Sequence, residues 1–297
     1  MKFGGIWCEK TKVNGLLLYL LNLEKSVFEK LNIKLCKHVL RVSKNASNLA
    51  SRAELGRLPV AKSIIVAVLK YYVRLSTCGE RELLYHAFKS QEKSKDNAYN
   101  TLTFVQLSKK LMSQLNVQAP LFHSDQKHKD ILNSFGKKVS NACVKQFEEH
   151  FLSKLGEIQN GSDSKLTMYS YVKNDYKYEN YLDCDNNTTS LTRFRISNHS
   201  LPIEKGRYLR PKLERKYRVC KLCDSEVGDE LHAMFKCTDN DLSNLRIDNL
   251  SKIYAISPQL RHLTDTDKLI YILKGHDHST LPIVTKWLYD CNNRYRR

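Results

Sequence analysis

The chain lacks any long apolar run. Its 297 residues hold nothing approaching the roughly 18 to 20 consecutive apolar residues a membrane span needs; stretches such as Leu16 to Leu21 suit a buried helix segment instead. The opening, Met1-Lys2-Phe3-Gly4-Gly5-Ile6-Trp7-Cys8, shows no basic, apolar and small-residue succession of a signal peptide. Glycosylation-type sites such as Asn187-Thr188-Thr189 are therefore expected to stay unused. No membrane partner is expected. A disulfide framework is missing too: the cysteines number nine, and Cys8, Cys36, Cys78, Cys143, Cys184 and Cys291 stand singly. That usage points to a reducing, intracellular setting in the nucleus or cytoplasm.

Acidic residues are also short, 31 Asp and Glu against 49 Lys and Arg, which leaves a net charge of +18. A field of that sign attracts polyanions, of which nucleic acid is the commonest, and raises their encounter rate. The hydrophobic fraction of 41% and mean hydropathy of −0.49 fit packed helices separated by solvated stretches.

What is present is helical periodicity. Leu20, Leu23, Val27, Leu31, Leu35 and Val39 recur at intervals of three and four, predicting one amphipathic helix from Leu16 to about Val42. Pro59 can open a second helix running to about Ser76, whose stripe of Ile64, Ile65, Val68, Leu69, Tyr72 and Leu75 should be core. A short helix follows near Glu82 to Lys89, and another through Phe104, Leu107, Leu111 and Leu115, broken at Ala119-Pro120. From Ile131 to Leu155 the residues Leu132, Phe135, Val139, Cys143, Phe147, Phe151 and Leu155 share one face of a long helix. Cys36 and Cys143 read as small buried thiols. The polar stretch Gly156 to Ser164 is the best boundary. Beyond it Tyr169, Tyr171, Tyr176, Tyr178 and Tyr181 cluster, as core-covering rings rather than base-stacking platforms.

One constellation has chemical specificity. Cys220 and Cys223 stand two residues apart, followed by His232 and Cys237, in the spacing Cys-x2-Cys-x8-His-x4-Cys. Two thiolates on one tight turn, completed by an imidazole and a third thiolate, make a closed tetrahedron suited to structural Zn2+. A redox CxxC would need a βαβ setting that the pattern does not offer. His199, His276 and His278 have no partner cysteines nearby and read as ordinary surface or core histidines.

Just before and into this motif the charge concentrates. Between Arg193 and Lys221 ten cations face only Glu204 and Glu214, leaving +8 over 29 residues. Arg193, Arg195, Lys205, Arg207, Arg210, Lys212, Arg215, Lys216 and Arg218 are the expected phosphate contacts, with Tyr208 and Tyr217 interleaved to stack on bases. The loop Asp224-Ser225-Glu226-Val227-Gly228-Asp229-Glu230 carries four acids. It should repel phosphates and order some of the arm's side chains.

The stretch Leu191-Thr192-Arg193-Phe194-Arg195-Ile196-Ser197-Asn198-His199-Ser200-Leu201-Pro202-Ile203-Glu204-Lys205-Gly206-Arg207-Tyr208, with Arg218-Val219-Cys220-Lys221-Leu222-Cys223 and Asp229-Glu230-Leu231-His232, resembles the C-terminal region of invertebrate non-LTR retrotransposon reverse-transcriptase proteins. Leu35-Cys36-Lys37-His38-Val39-Leu40 and Glu54-Leu55-Gly56-Arg57-Leu58-Pro59 are similar to the segment just after that family's polymerase. The resemblance implies that Cys220, Cys223, His232 and Cys237 help grip RNA or target DNA. It does not carry polymerisation over: the sequence has no Asp-Asp pair to supply the two-metal carboxylates of a polymerase. No nuclease array has readable spacing either, so no catalysis is expected.

The expected fold is therefore mainly α: a helical body over 1–160, a basic arm with a zinc-knuckle-like module over 161–250, and a C-terminal helical segment over 251–297. Its last helix should pack through Ile283, Val284, Trp287 and Leu288. The expected function is zinc-dependent, largely non-sequence-specific binding of RNA or DNA by a detached tail of such a protein. The rival expectation is a zinc-stapled structural or protein-interaction module with no nucleic-acid role.

Overall fold

Apolar residues spaced at three and four produce helices, and the computed structural model is mainly helical. It describes residues 26–93, 103–121, 128–159, 164–184 and 188–296. Among them β-structure is limited to isolated bridges, Leu55 with Tyr178 and Val219 with Val227. The helices are α1 (Val27–Val39), α2 (Asn48–Glu54), α3 (Ala61–Ser76), α4 (Leu83–Lys93), α5 (Phe104–Gln114), α6 (His128–Gln159), α7 (Thr167–Val172), α8 (Thr189–Arg195), α9 (Pro202–Lys205), α10 (Asn240–Ile256), α11 (Asp265–Lys274) and α12 (Leu281–Arg294). A π-helical turn spans His232–Lys236. No described helix is long and apolar enough to cross a membrane.

The chain groups into two compact units, Met1–Asn32 with Leu58–His150, and Ile33–Arg57 with Phe151–Arg297. The sequence puts its divisions near residues 160 and 250; the contacts group residues 33–57 with everything from Phe151 on.

In the first unit α3 buries Ala61, Ile65, Leu69, Tyr72 and Val73 against Phe88, Val105, Leu111, Met112, Phe135, Val139 and Cys143. The Tyr72 and Phe88 rings meet with centroids 5.5 Å apart. Helix α5 starts at a reciprocal cap: Thr103 Oγ1 accepts from the Gln106 N–H, and the Gln106 side chain accepts from the Thr103 N–H. It stops at Gln114, because Asn116 turns left-handed at φ 52° before the expected break at Ala119-Pro120 is reached.

The predicted face of the first helix is not its buried face. Leu20 and Leu23 lie outside the described residues, while Val27, Leu31, Leu35 and Val39 are exposed. The buried positions are Glu29, Cys36 and, just beyond the helix, Leu40. Glu29 goes inside because its carboxylate accepts from the Val60 N–H at 2.8 Å, at the start of α3 where the helix dipole favours an anion. A hydrophobic stripe alone could not predict that bond.

The second unit is built around a charge. Arg195, fully buried, lies 3.0 Å from Glu54 and 3.0 Å from Glu179, and it donates to the carbonyls of Leu273 and Lys274 at the end of α11. Tyr181 bonds both Glu54 and Thr192. With every donor placed, the interior tolerates an ion pair it would otherwise expel. Tyr169, Tyr176 and Tyr181 are buried as core rings, with Phe151 edge-on to the first two, while Tyr171 and Tyr178 are exposed. Helix α12 buries Leu281, Val284, Trp287, Leu288 and Cys291, and Trp287 packs on Phe235 beside the cysteine cluster.

Candidate metal centre

A tight turn holds the first two cysteines. The Cys220 N–H donates to Glu226 O at 2.8 Å, the Gly228 N–H to Arg218 O at 2.9 Å, and the Asp224 N–H closes the loop on Cys220 O. Asp224 sits left-handed at φ 53°, a conformation that a short polar side chain tolerates. At Gly228 any Cβ would lie 2.8 Å from Pro202 and 3.0 Å from the Cys220 backbone, so only glycine fits. His232 follows on the π-helical turn, whose start is capped by Asp229: its Oδ1 accepts from the His232 N–H at 3.0 Å. The Cys237 N–H returns to His232 O at 2.7 Å and brings the last thiol round.

The four predicted ligands come together. One ligand atom from each of Cys220, Cys223, His232 and Cys237 lies within 4.8 Å of all the others, in a setting where three of the residues are buried and Cys223 is partly so. Cys220 and Cys237 have their sulfurs 3.8 Å apart, and Cys223 Sγ is 3.2 Å from His232 Nε2. These four side chains can hold one metal ion. Three thiolates and an imidazole close the tetrahedron, so the arrangement suits a structural rather than a catalytic ion.

Around them lies a ring of partners. The Tyr295 hydroxyl is 3.1 Å from Cys220 Sγ, and the Ser225 hydroxyl 3.1 Å from Cys223 Sγ. With Nε2 turned to the cluster, His232 Nδ1 faces the Glu226 carboxylate at 3.5 Å, within ion-pair distance but without a hydrogen bond. Arg246 donates to the carbonyls of Met234 and Cys237. Without an ion the thiols differ. Burial works to raise Cys223, but bonds from the Ser225 hydroxyl and N–H and then from the neighbouring thiols bring it down to about 6; burial pushes Cys237 up to about 12.

No protein-family model, curated protein or solved structure matches this chain. What it can do must be read from its own side chains.

The predicted arm divides into cations used inside and cations left outside. Two expected phosphate contacts are interior. Arg195 serves the ion network described above, and Arg218, also buried, donates to the carbonyls of Leu213 and Ile203. A Cβ on Gly206 would stand 2.6 Å from Arg218 Cγ, which shows how closely that guanidinium stem is packed. Neither side chain can reach a ligand. Charge runs conceal this, because a sequence does not say which cations find buried acceptors.

Arg207 pairs with Glu204 at 3.2 Å and donates to Ser164 O. Arg215 pairs with Asp229 at 2.9 Å, so the acidic loop does order part of the arm. Lys216 is 3.3 Å from Glu214 and lies over the exposed Tyr217 ring. Tyr208 is half-exposed, its hydroxyl shared with Lys165 and Glu204. Arg193 donates to Arg41 O, and Lys205 to Tyr295 O. Arg210 and Lys212 are exposed.

Of the other histidines, His199 is buried against Glu230 at 2.8 Å, and His278 lies 3.0 Å from the lone Cys184. Sequence reasoning missed Tyr295, Ser225, Glu226 and Arg246 as partners of the centre. Ser225 and Glu226 sit inside the motif and could have been considered there; Tyr295 and Arg246 carry no spacing signal.

Proposed function

We propose that this chain binds RNA or DNA through the phosphate backbone, without strong sequence readout, on a module stapled by Zn2+ at Cys220, Cys223, His232 and Cys237. The observation that carries the reading is the meeting of those four ligand atoms within 4.8 Å beside a surface where Lys205, Arg210, Lys212, Lys216 and Lys221 are exposed. Thiolate-rich tetrahedra suit zinc. The net charge of +18 supplies the attraction for a polyanion, and the resemblance to the tail of retrotransposon reverse-transcriptase proteins supports the same partner. The reading asks for no catalysis by this chain.

A filter-binding titration with single-stranded RNA and duplex DNA tests it. Binding should weaken linearly in log–log form with added salt, with a slope of about −0.7 per phosphate contact on a single strand. Absence of retention at low salt defeats the reading. The internal use of Arg195 and Arg218 favours a second one, in which the metal staples a structural or protein-interaction module; failure to retain either nucleic acid, with one zinc ion still bound, supports that alternative.

A further inference from the structure

The cysteine cluster and the chain's last residues meet at one side chain. Helix α12 ends at Arg294, and the next residue, Tyr295, is buried with its hydroxyl on Cys220 Sγ. The same residue's carbonyl accepts from Lys205 Nζ at 2.7 Å. Arg296, next in the chain, is exposed, with its Nε 3.4 Å from the Ser200 hydroxyl; the Ser200 N–H in turn donates to Asn292 of α12. Lys221, adjacent to Cys220, is exposed as well.

The nearby ion pairs belong to other cations: Lys165 and Arg207 hold Glu204, Arg215 holds Asp229, Lys216 holds Glu214, and Arg294 holds Asp239 and Asp241. Among the described residues Arg193, Lys205, Lys221 and Arg296 have no acidic partner. They repel one another instead. Burial first, then Lys221 and Arg296, lower Lys205 below the usual lysine value; burial first, then Arg296, does the same to Arg193. A cluster of this kind gains from an anion that neutralises it.

We infer that the metal centre builds the phosphate-binding surface of this chain: through Tyr295 on Cys220 it sets Arg296 and Lys205 beside Lys221 and Arg193, and these four cations take the oxyanions of a nucleic-acid backbone. The inference rests on the nucleic-acid reading and names its contact surface. The metal touches no phosphate. A metal-bound thiolate accepts a stronger hydrogen bond than a thiol does, so loading the centre tightens Tyr295 and holds the residues on either side of its contacts.

The test uses the full zinc-loaded chain and a fluorescently labelled oligouridylate titrated over a range of salt. Removing two phosphate contacts together, in Lys221→Ala with Arg296→Ala, should weaken binding by about tenfold and reduce the salt slope by roughly 1.4 on this single strand. Arg210→Ala with Lys212→Ala should change both much less. Tyr295→Phe should keep one metal per chain and the far-ultraviolet spectrum, yet weaken oligouridylate binding several-fold and shift the thiolate-to-metal band of the cobalt-substituted protein. Tyr289→Phe, exposed on α12 itself, should do neither. Wild type that binds, with the Lys221 and Arg296 pair silent and the Arg210 and Lys212 pair damaging, overturns the cluster while the nucleic-acid reading stands. Wild type that fails to bind overturns both.

Discussion

The Tyr295 hydroxyl stands 3.1 Å from the sulfur of Cys220, a residue 75 positions earlier. The turn that follows α12 is therefore fastened to the first residue of the cysteine–histidine cluster. Removing the metal should be felt at both places. Chelation is expected to raise amide exchange across residues 218–238 and in the last turn around Tyr295, while amides of the first unit's core keep their protection. Hydrogen-exchange mass spectrometry reads this directly. Uniform protection before and after chelation would show that the ion contributes nothing to folding.

In the metal-free chain the thiols should react in a set order. Cys223, at about 6, is mostly thiolate at pH 7, whereas Cys237 and Cys291, which burial pushes to about 12, are almost wholly thiol. Iodoacetamide should label Cys223 first among these three, since the thiolate is the nucleophile. Lowering the pH to about 5 protonates Cys223 and should slow it by roughly tenfold, one pKa unit below its midpoint. Peptide mass spectrometry follows each site; a Cys223 rate with its midpoint near the ordinary thiol value of about 8.5 would show that chelation has opened the Ser225 hydrogen bonds. Bound metal should suppress the labelling of Cys223.

Arg195 should matter to stability and not to ligand binding. Replacing it with Met leaves Glu54 buried without its cation, while Glu179 keeps Lys173, and breaking a buried pair on one side costs about 3–5 kcal/mol. Urea unfolding should register that loss. Adding Glu54→Gln should recover part of it, because the stranded charge is then removed. Loss of oligonucleotide affinity without loss of stability would return Arg195 to the binding surface.

Gly228→Ala tests the turn that presents Cys220. The new methyl would press on Pro202 and on the Cys220 backbone at 2.8 and 3.0 Å. Overpacking of this kind costs about 1–3 kcal/mol. The variant should give up its metal faster to a chromophoric chelator, and an unchanged rate would mean that the turn yields without moving the ligand.

Much of this molecule was readable from local pattern. The long helix lies at His128–Gln159 where Ile131 to Leu155 was expected, with Phe135, Val139, Cys143, Phe151 and Leu155 buried on the expected face. The four metal ligands were equally legible, since their spacing is short and the chemistry of thiolates and imidazole restricts what they can do. Two cations of the arm were misread. In sequence Arg195 and Arg218 look like their neighbours, and burial separates them only because Glu54, Glu179 and the carbonyls of Ile203 and Leu213 happen to surround them in space.

The amino-acid order alone determined the long helix and which four side chains could hold one ion, because both depend on residues close together in the chain. Tertiary structure alone decided that Glu29 is buried while Leu31 and Leu35 are exposed, that Arg195 is core, and that Tyr295 reaches Cys220. Each of those outcomes is a hydrogen bond or ion pair between distant segments, and its free energy exists only once folding has removed the water that would otherwise satisfy both partners.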